Sequence, residues 1–94
     1  MNYLISYDIG NDKRRKAVSD FLIEKGFIRI QKSVFLGKNV YYKIKNMLEY
    51  IQNILNKDED NLFCLSFNDF EYDNIVSFGN IYNYNIYNEY IIYI

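Results

Sequence analysis

Asp8 closes an apolar run, Tyr3 to Ile9. After the turn Gly10-Asn11 the chain carries four consecutive cations, Lys13, Arg14, Arg15 and Lys16. A carboxylate at a strand end beside a helix start crowded with positive charge suits phosphate binding or phosphate chemistry. Basic side chains in a first helical turn oppose the helix dipole. A phosphate there would reverse the sign, meeting free backbone N–H groups and cations together. Arg29, Lys32 and Lys38 could extend the same basic surface, while a solvated helix face is the plainer reading of the run. Asp8 is the best candidate for chemistry. Mg²⁺ usually takes one or two carboxylates, with waters and substrate phosphates completing its octahedron. Two protomers meeting near this strand end would supply two copies of Asp8; a structural strand-end carboxylate is the alternative. The chain has no His, so any hydrolysis would depend on the metal and its water.

The elements that must position these groups follow from periodicity. Tyr3, Ile5, Tyr7 and Ile9 alternate with Leu4, Ser6 and Asp8, the period of a strand. Asn11 or Asp12 can cap a helix carrying Ala17, Val18, Phe21, Leu22 and Lys25, with Gly26 as its stop. Phe27 to Leu36 reads as a second strand ended by Gly37. Val40, Ile44, Met47, Leu48, Ile51, Ile54 and Leu55 form one apolar helical stripe. Leu62 to Phe67 reads as a third strand, and the polar run after it leads to a short strand around Ile75 to Phe78. The fold expected is α+β: a ferredoxin-like βαββαβ sandwich, one antiparallel sheet with two helices on one face. The tail, 80–94, ends in Glu89-Tyr90-Ile91-Ile92-Tyr93-Ile94, an edge with no Pro or Lys to protect it. It should pair with something, preferably a second protomer, otherwise its own sheet.

Ninety-four residues, half of them hydrophobic and 19% aromatic, make one globular domain. A chain this short has a modest core, which dimerisation would help. The lone cysteine excludes an internal disulfide, no leader or membrane-spanning stretch is visible, and a cytoplasmic location is expected. Cys64, with no imidazole available, reads as packing. Net charge is only −1, yet residues 1–45 hold ten Lys/Arg against four Asp/Glu and residues 46–94 hold one against eight. That asymmetry suggests one face for a polyanion and one for a basic partner, unless folding intermixes the charges. No P-loop, dinucleotide-binding glycine pattern, zinc cluster or nucleophile triad is present.

Taken jointly, Tyr7-Asp8-Ile9, Asp12-Lys13-Arg14-Arg15, Gly26, Arg29, Gln31, Ser33-Val34-Phe35 and Gly37 resemble the small CRISPR-associated protein of the spacer-acquisition machinery, the second in the Cas numbering. The resemblance implies a homodimer of ferredoxin-like protomers, Mg²⁺ (or Mn²⁺) held by Asp8 of each protomer, and endonuclease activity on RNA or DNA. It also implies a bridging role between copies of the CRISPR integrase, holding the duplex DNA that becomes a new spacer. The tail's pairing with the neighbouring protomer is a family habit as well. Past Gly37 the likeness is one of architecture. Three functions are therefore carried forward. The first is an adaptation subunit that binds duplex DNA and retains a metal-dependent phosphodiesterase centre. The second is a non-catalytic DNA-bridging scaffold. The third lies outside CRISPR, a toxin-like ribonuclease or small regulatory module.

Overall fold

A computed structural model describes residues 1–41, 43–79 and 92–93. In chain order the elements are β1 (Asn2–Asp8), α1 (Asp12–Glu24), β2 (Ile28–Gln31), β3 (Val34–Gly37), α2 (Ile44–Ile54), β4 (Asn61–Phe67), α3 (Asp69–Asp73), β5 (Val76–Ser77) and β6 (Ile92–Tyr93). The first four strands form one antiparallel sheet in the order β2-β3-β1-β4. That is the ferredoxin-like α+β arrangement anticipated from periodicity.

The alternation in β1 sorts its side chains between the two faces. Ile5 and Tyr7 join Phe35 of β3, Val18 and Leu22 of α1, and Met47 and Ile51 of α2 in one buried cluster. Both long helices therefore lie on the same face of the sheet. Ile5, Val18, Leu22 and Phe35 are fully buried, each contributing on the order of 1.5–3 kcal/mol through burial. Leu4, Val34, Leu36 and Phe67 turn to the opposite face. There they pack with Ile30, Ile75 and Tyr72 of α3.

Three boundaries depart from the sequence expectation. The stretch Phe27 to Leu36 is two strands rather than one, because the polar pair Lys32-Ser33 turns the chain and the Ser33 carbonyl accepts a 3.1 Å hydrogen bond from the Tyr7 N–H. The second helix starts at Ile44. Val40 lies before it, held by a 3.2 Å bond from its N–H to the Met1 carbonyl, yet still touches the core. Asn39 takes a left-handed φ of 52° in this loop, and its N–H donates to the side chain of the buried Asn2. Finally, the polar run after β4 holds the short helix α3. Asn68 and Glu71 form a reciprocal capping box there, a signature legible in Asn-x-x-Glu.

Asn11 caps α1 through a 3.0 Å bond from the Arg14 N–H, and Gly26, with φ 88°, follows its end. Of the tail, Ile92–Tyr93 pairs in parallel with Val76–Ser77 of the same chain; residues 80–91 and 94 lie outside the described residues. Among the described residues no helix is long and apolar enough to cross a membrane.

Candidate functional site

Successive residues of a strand face opposite ways, and this separates the two candidate features at the end of β1. Asp8 is exposed and stands opposite Asn61 of β4, on the sheet face that the long helices leave open. Ser6, Asp8, Asn61 and Phe63 border an open depression of about 380 Å³ there. Phe63 and Leu65 are 60% and 55% exposed on the same face. Tyr7, one residue earlier, points to the helix side.

On that helix side a second depression, about 280 Å³, is lined by Tyr7, Asp12, Arg15, Lys16, Ser19, Arg29 and Lys32. Two elements build it: α1 supplies Arg15 and Lys16, and the β2 strand and its following turn supply Arg29 and Lys32. Four of the seven cations expected to meet a polyanion thus come together. The Arg29 guanidinium lies 5.1 Å from the Phe35 ring, and Phe35 stacks at 6.0 Å on Tyr7. Both rings belong to the sheet core, as their apolar strand positions suggested. Burial pushes the Tyr7 hydroxyl pKa up, against the opposing pull of the Arg29 charge and its hydrogen bond to the hydroxyl and of the Arg15 charge. Arg29 has no acceptor, so the hydroxyl's own proton is left without one among the described residues.

The remaining three cations are elsewhere. Lys13 is exposed on α1 and outside the lining of this depression. Lys38 lies with its Nζ 5.1 Å from the ring of Tyr72, beside α3. Arg14 is committed to an internal partner. Its Nε and Nη2 donate to the two carboxylate oxygens of Asp60 at 2.7 and 3.2 Å, and Nη2 also meets Glu59 at 2.9 Å. The Asp60 side chain is fully buried, and it accepts further bonds from the N–H groups of Gly10 (3.1 Å) and Asn56 (2.8 Å). The Arg14 hydrogen bond, opposed by burial and aided by the Asn56 and Gly10 amides, holds the Asp60 carboxyl at a pKa of about 2. Asp60 therefore ties the β1–α1 turn, two residues past Asp8, to the loop entering β4.

This buried carboxylate is invisible in the sequence, where it is one of three acids in a row, Asp58, Glu59 and Asp60. It also answers the puzzle of the basic first turn. Arg14 is neutralised by Asp60. Arg15 pairs with Asp12 and donates to the Ile9 carbonyl at 2.9 Å, and Lys16 pairs with Asp20. At Arg14 the basic and acidic halves of the chain intermix.

As a metal site, one chain offers a single carboxylate, Asp8, with the neutral oxygens of Asn61 and Ser6 beside it. Hard oxygen donors fit Mg²⁺, but the set is incomplete without water, phosphate or a second copy. No group of three His, Cys, Asp or Glu suited to a metal occurs among the described residues. Cys64 is half-buried against the core, and burial raises its pKa, leaving a protonated, inert thiol.

Comparison with known proteins agrees with this architecture. The sequence profile of a family described as CRISPR associated protein Cas2 matches residues 1–75. A CRISPR-associated endoribonuclease Cas2 of Aeropyrum pernix is 32% identical over 62 residues, 66% of this chain and 67% of that protein. One of Korarchaeum cryptofilum is 35% identical over 65 residues, 67% of this chain and 70% of that protein. Among solved structures, Streptococcus pyogenes Cas2 superposes with a TM-score of 0.64 at 19% identity, covering 72% of this chain and 87% of that one. A hypothetical protein of Thermus thermophilus gives 0.61 at 24% identity, covering 71% and 80%. The two structural likenesses speak to the fold alone.

Proposed function

This chain belongs to the CRISPR-associated Cas2 family, and on that premise we propose that it acts in CRISPR adaptation as a homodimer that binds duplex DNA and retains a Mg²⁺-dependent endonuclease centre for RNA or DNA at Asp8. The observation that carries this reading is the placement of Asp8. It stands exposed at a strand end, on an open sheet face that also exposes Phe63 and Leu65. Adjacent large apolar side chains left uncovered mark an association surface. A second copy on that face would cover them and bring its own Asp8 toward the first, supplying the carboxylate that one chain lacks.

A divalent ion bound there would activate water and stabilise the leaving oxygen. Asp8 would hold it, while the Asp60 clamp on Gly10 keeps the strand end in place. The helix-side cations Arg15, Lys16, Arg29 and Lys32 would carry the phosphate backbone, a mode that favours little sequence preference. The described end of the tail, Ile92–Tyr93, pairs within its own chain rather than with a neighbour, so dimerisation would rest on the open sheet face, and the CRISPR integrase would be the larger partner.

The incomplete donor set favours a second reading, the same dimer as a DNA-bridging scaffold with an idle Asp8. Family membership favours either over a toxin-like ribonuclease outside CRISPR. Labelled duplex DNA and single-stranded RNA, incubated with Mg²⁺ or Mn²⁺ and wild type, Asp8→Ala or an EDTA control, separate them. Cleavage lost in Asp8→Ala, with gel-shift binding kept, is the expected result. Firm duplex binding without any cleavage would establish the scaffold.

A further inference from the structure

Resting on the polyanion-binding reading but locating it, we propose that the helix-side depression is a pocket for one phosphate group, with the Tyr7 hydroxyl as the donor at its floor and Arg15, Lys16, Arg29 and Lys32 as the cations around it. Two independent observations meet here. The first is charge: four cations from two elements converge with a single carboxylate, Asp12, itself engaged by Arg15. The second is the hydroxyl. Tyr7 is only 5% exposed; its oxygen faces the Arg29 guanidinium, which can only donate, and its own proton has no acceptor among the described residues. A buried polar atom left in that state calls for a physical account, and a phosphate oxygen gives one, since a donor facing an anion makes a strong bond.

A phenol is protonated at neutral pH and therefore able to donate. The hydroxyl is sealed from solvent, so an anion reaches it only when the long cationic side chains turn onto the ligand. At about 280 Å³ the depression has room for a phosphate and part of its sugar.

The pocket is a different place from the Asp8 site. Tyr7 and Asp8 are consecutive residues on opposite faces of β1, so a phosphate held by Tyr7 is not the one presented to Asp8. Anchoring and cleavage would be separable functions of one strand end.

The test uses the full chain with inorganic phosphate, then 5′-phosphorylated and 5′-hydroxyl oligonucleotides of one sequence, by calorimetric titration. Tyr7→Phe keeps the ring against Phe35 and removes only the hydroxyl. Lys32→Gln changes an exposed position, so a folding defect in one variant does not end the experiment. Saturable phosphate binding, weakened about tenfold or more in Tyr7→Phe and weakened in Lys32→Gln, is expected. Preference for the 5′-phosphorylated strand would support the pocket and identify a terminal phosphate as its natural occupant. Equal affinity for both strands, with inorganic phosphate competing, would support it and identify a backbone phosphate. Undiminished phosphate binding by Tyr7→Phe, or none by wild type while duplex DNA still binds, overturns the pocket and leaves the polyanion reading standing. Failure to bind duplex DNA as well would overturn both.

Discussion

The four-cation run at the start of α1 should contribute unequally to nucleic-acid binding, and the salt dependence of affinity can show it. Each phosphate neutralised on duplex DNA contributes about 0.9 to the slope of log affinity against log salt. Removing one contact should therefore make the loss of affinity between 50 and 200 mM salt smaller by a factor of roughly 3.5. Lys16 pairs with Asp20, an exposed partner one helical turn away. Such pairs are worth little, and the lysine is free to exchange it for a phosphate. Arg14 instead grips both oxygens of a carboxylate with no exposed surface. Surrendering it would leave Asp60 buried and uncompensated.

Lys16→Gln should accordingly reduce the slope by about 0.9. The paired change Arg14→Gln with Asp60→Asn should leave it unchanged. The pair is preferable to Arg14→Gln alone, because Asp60→Asn leaves no stranded charge and its one side-chain oxygen can still accept from either the Gly10 or the Asn56 amide. Fluorescence anisotropy on a labelled duplex at five salt concentrations measures the slope, with circular dichroism as the folding control. A slope that falls by a full contact in the Arg14/Asp60 pair and not in Lys16→Gln would refute the reasoning.

Gly37 closes the Ser-Val-Phe-x-Gly run for a steric reason. A Cβ at this position would stand 2.7, 2.7 and 2.9 Å from ring atoms of the buried Phe27, and Gly37→Ala should cost about 1–3 kcal/mol in overpacking. Urea denaturation of Gly37→Ala with and without Phe27→Leu checks this: the second change should cost less in the Gly37→Ala background than in wild type, and a Gly37→Ala protein as stable as wild type would sink the account. Asp60 sets an acid limit on stability. Its carboxyl is held below the ordinary 3.8, at about 2, so its contribution is present above about pH 4 and lost as pH falls through about 2. Urea midpoints between pH 5 and 2 should fall less steeply for the Arg14→Gln/Asp60→Asn protein than for wild type; parallel curves would argue against the clamp.

The local patterns in this chain are enough to identify β1, the Asn11-capped α1, the apolar stripe of α2 and β4, because each element writes its period into a continuous stretch. The same period places Tyr7 and Asp8 on opposite faces, and it picks out Asp8 as the strand-end carboxylate. The β2–β3 turn is hidden because Lys32-Ser33 carries no Gly, Asn or Asp to announce it, so the apolar residues on either side read as one strand. The capping box of α3 is written in Asn68 and Glu71 but lies within a polar run that reads as a connection. What lies beyond the sequence is the sorting of like charges. Arg14 and Arg15 are neighbours of one type, but the first turns to Asp60, 46 positions away, and the second lines a pocket with Arg29 and Lys32. Which of three consecutive acids is buried, and which cations face solvent, is decided by contacts between distant segments. A linear pattern records the period of each element but not the approach of one element to another, and that approach alone makes Arg14 a clamp and Arg15 part of a binding pocket.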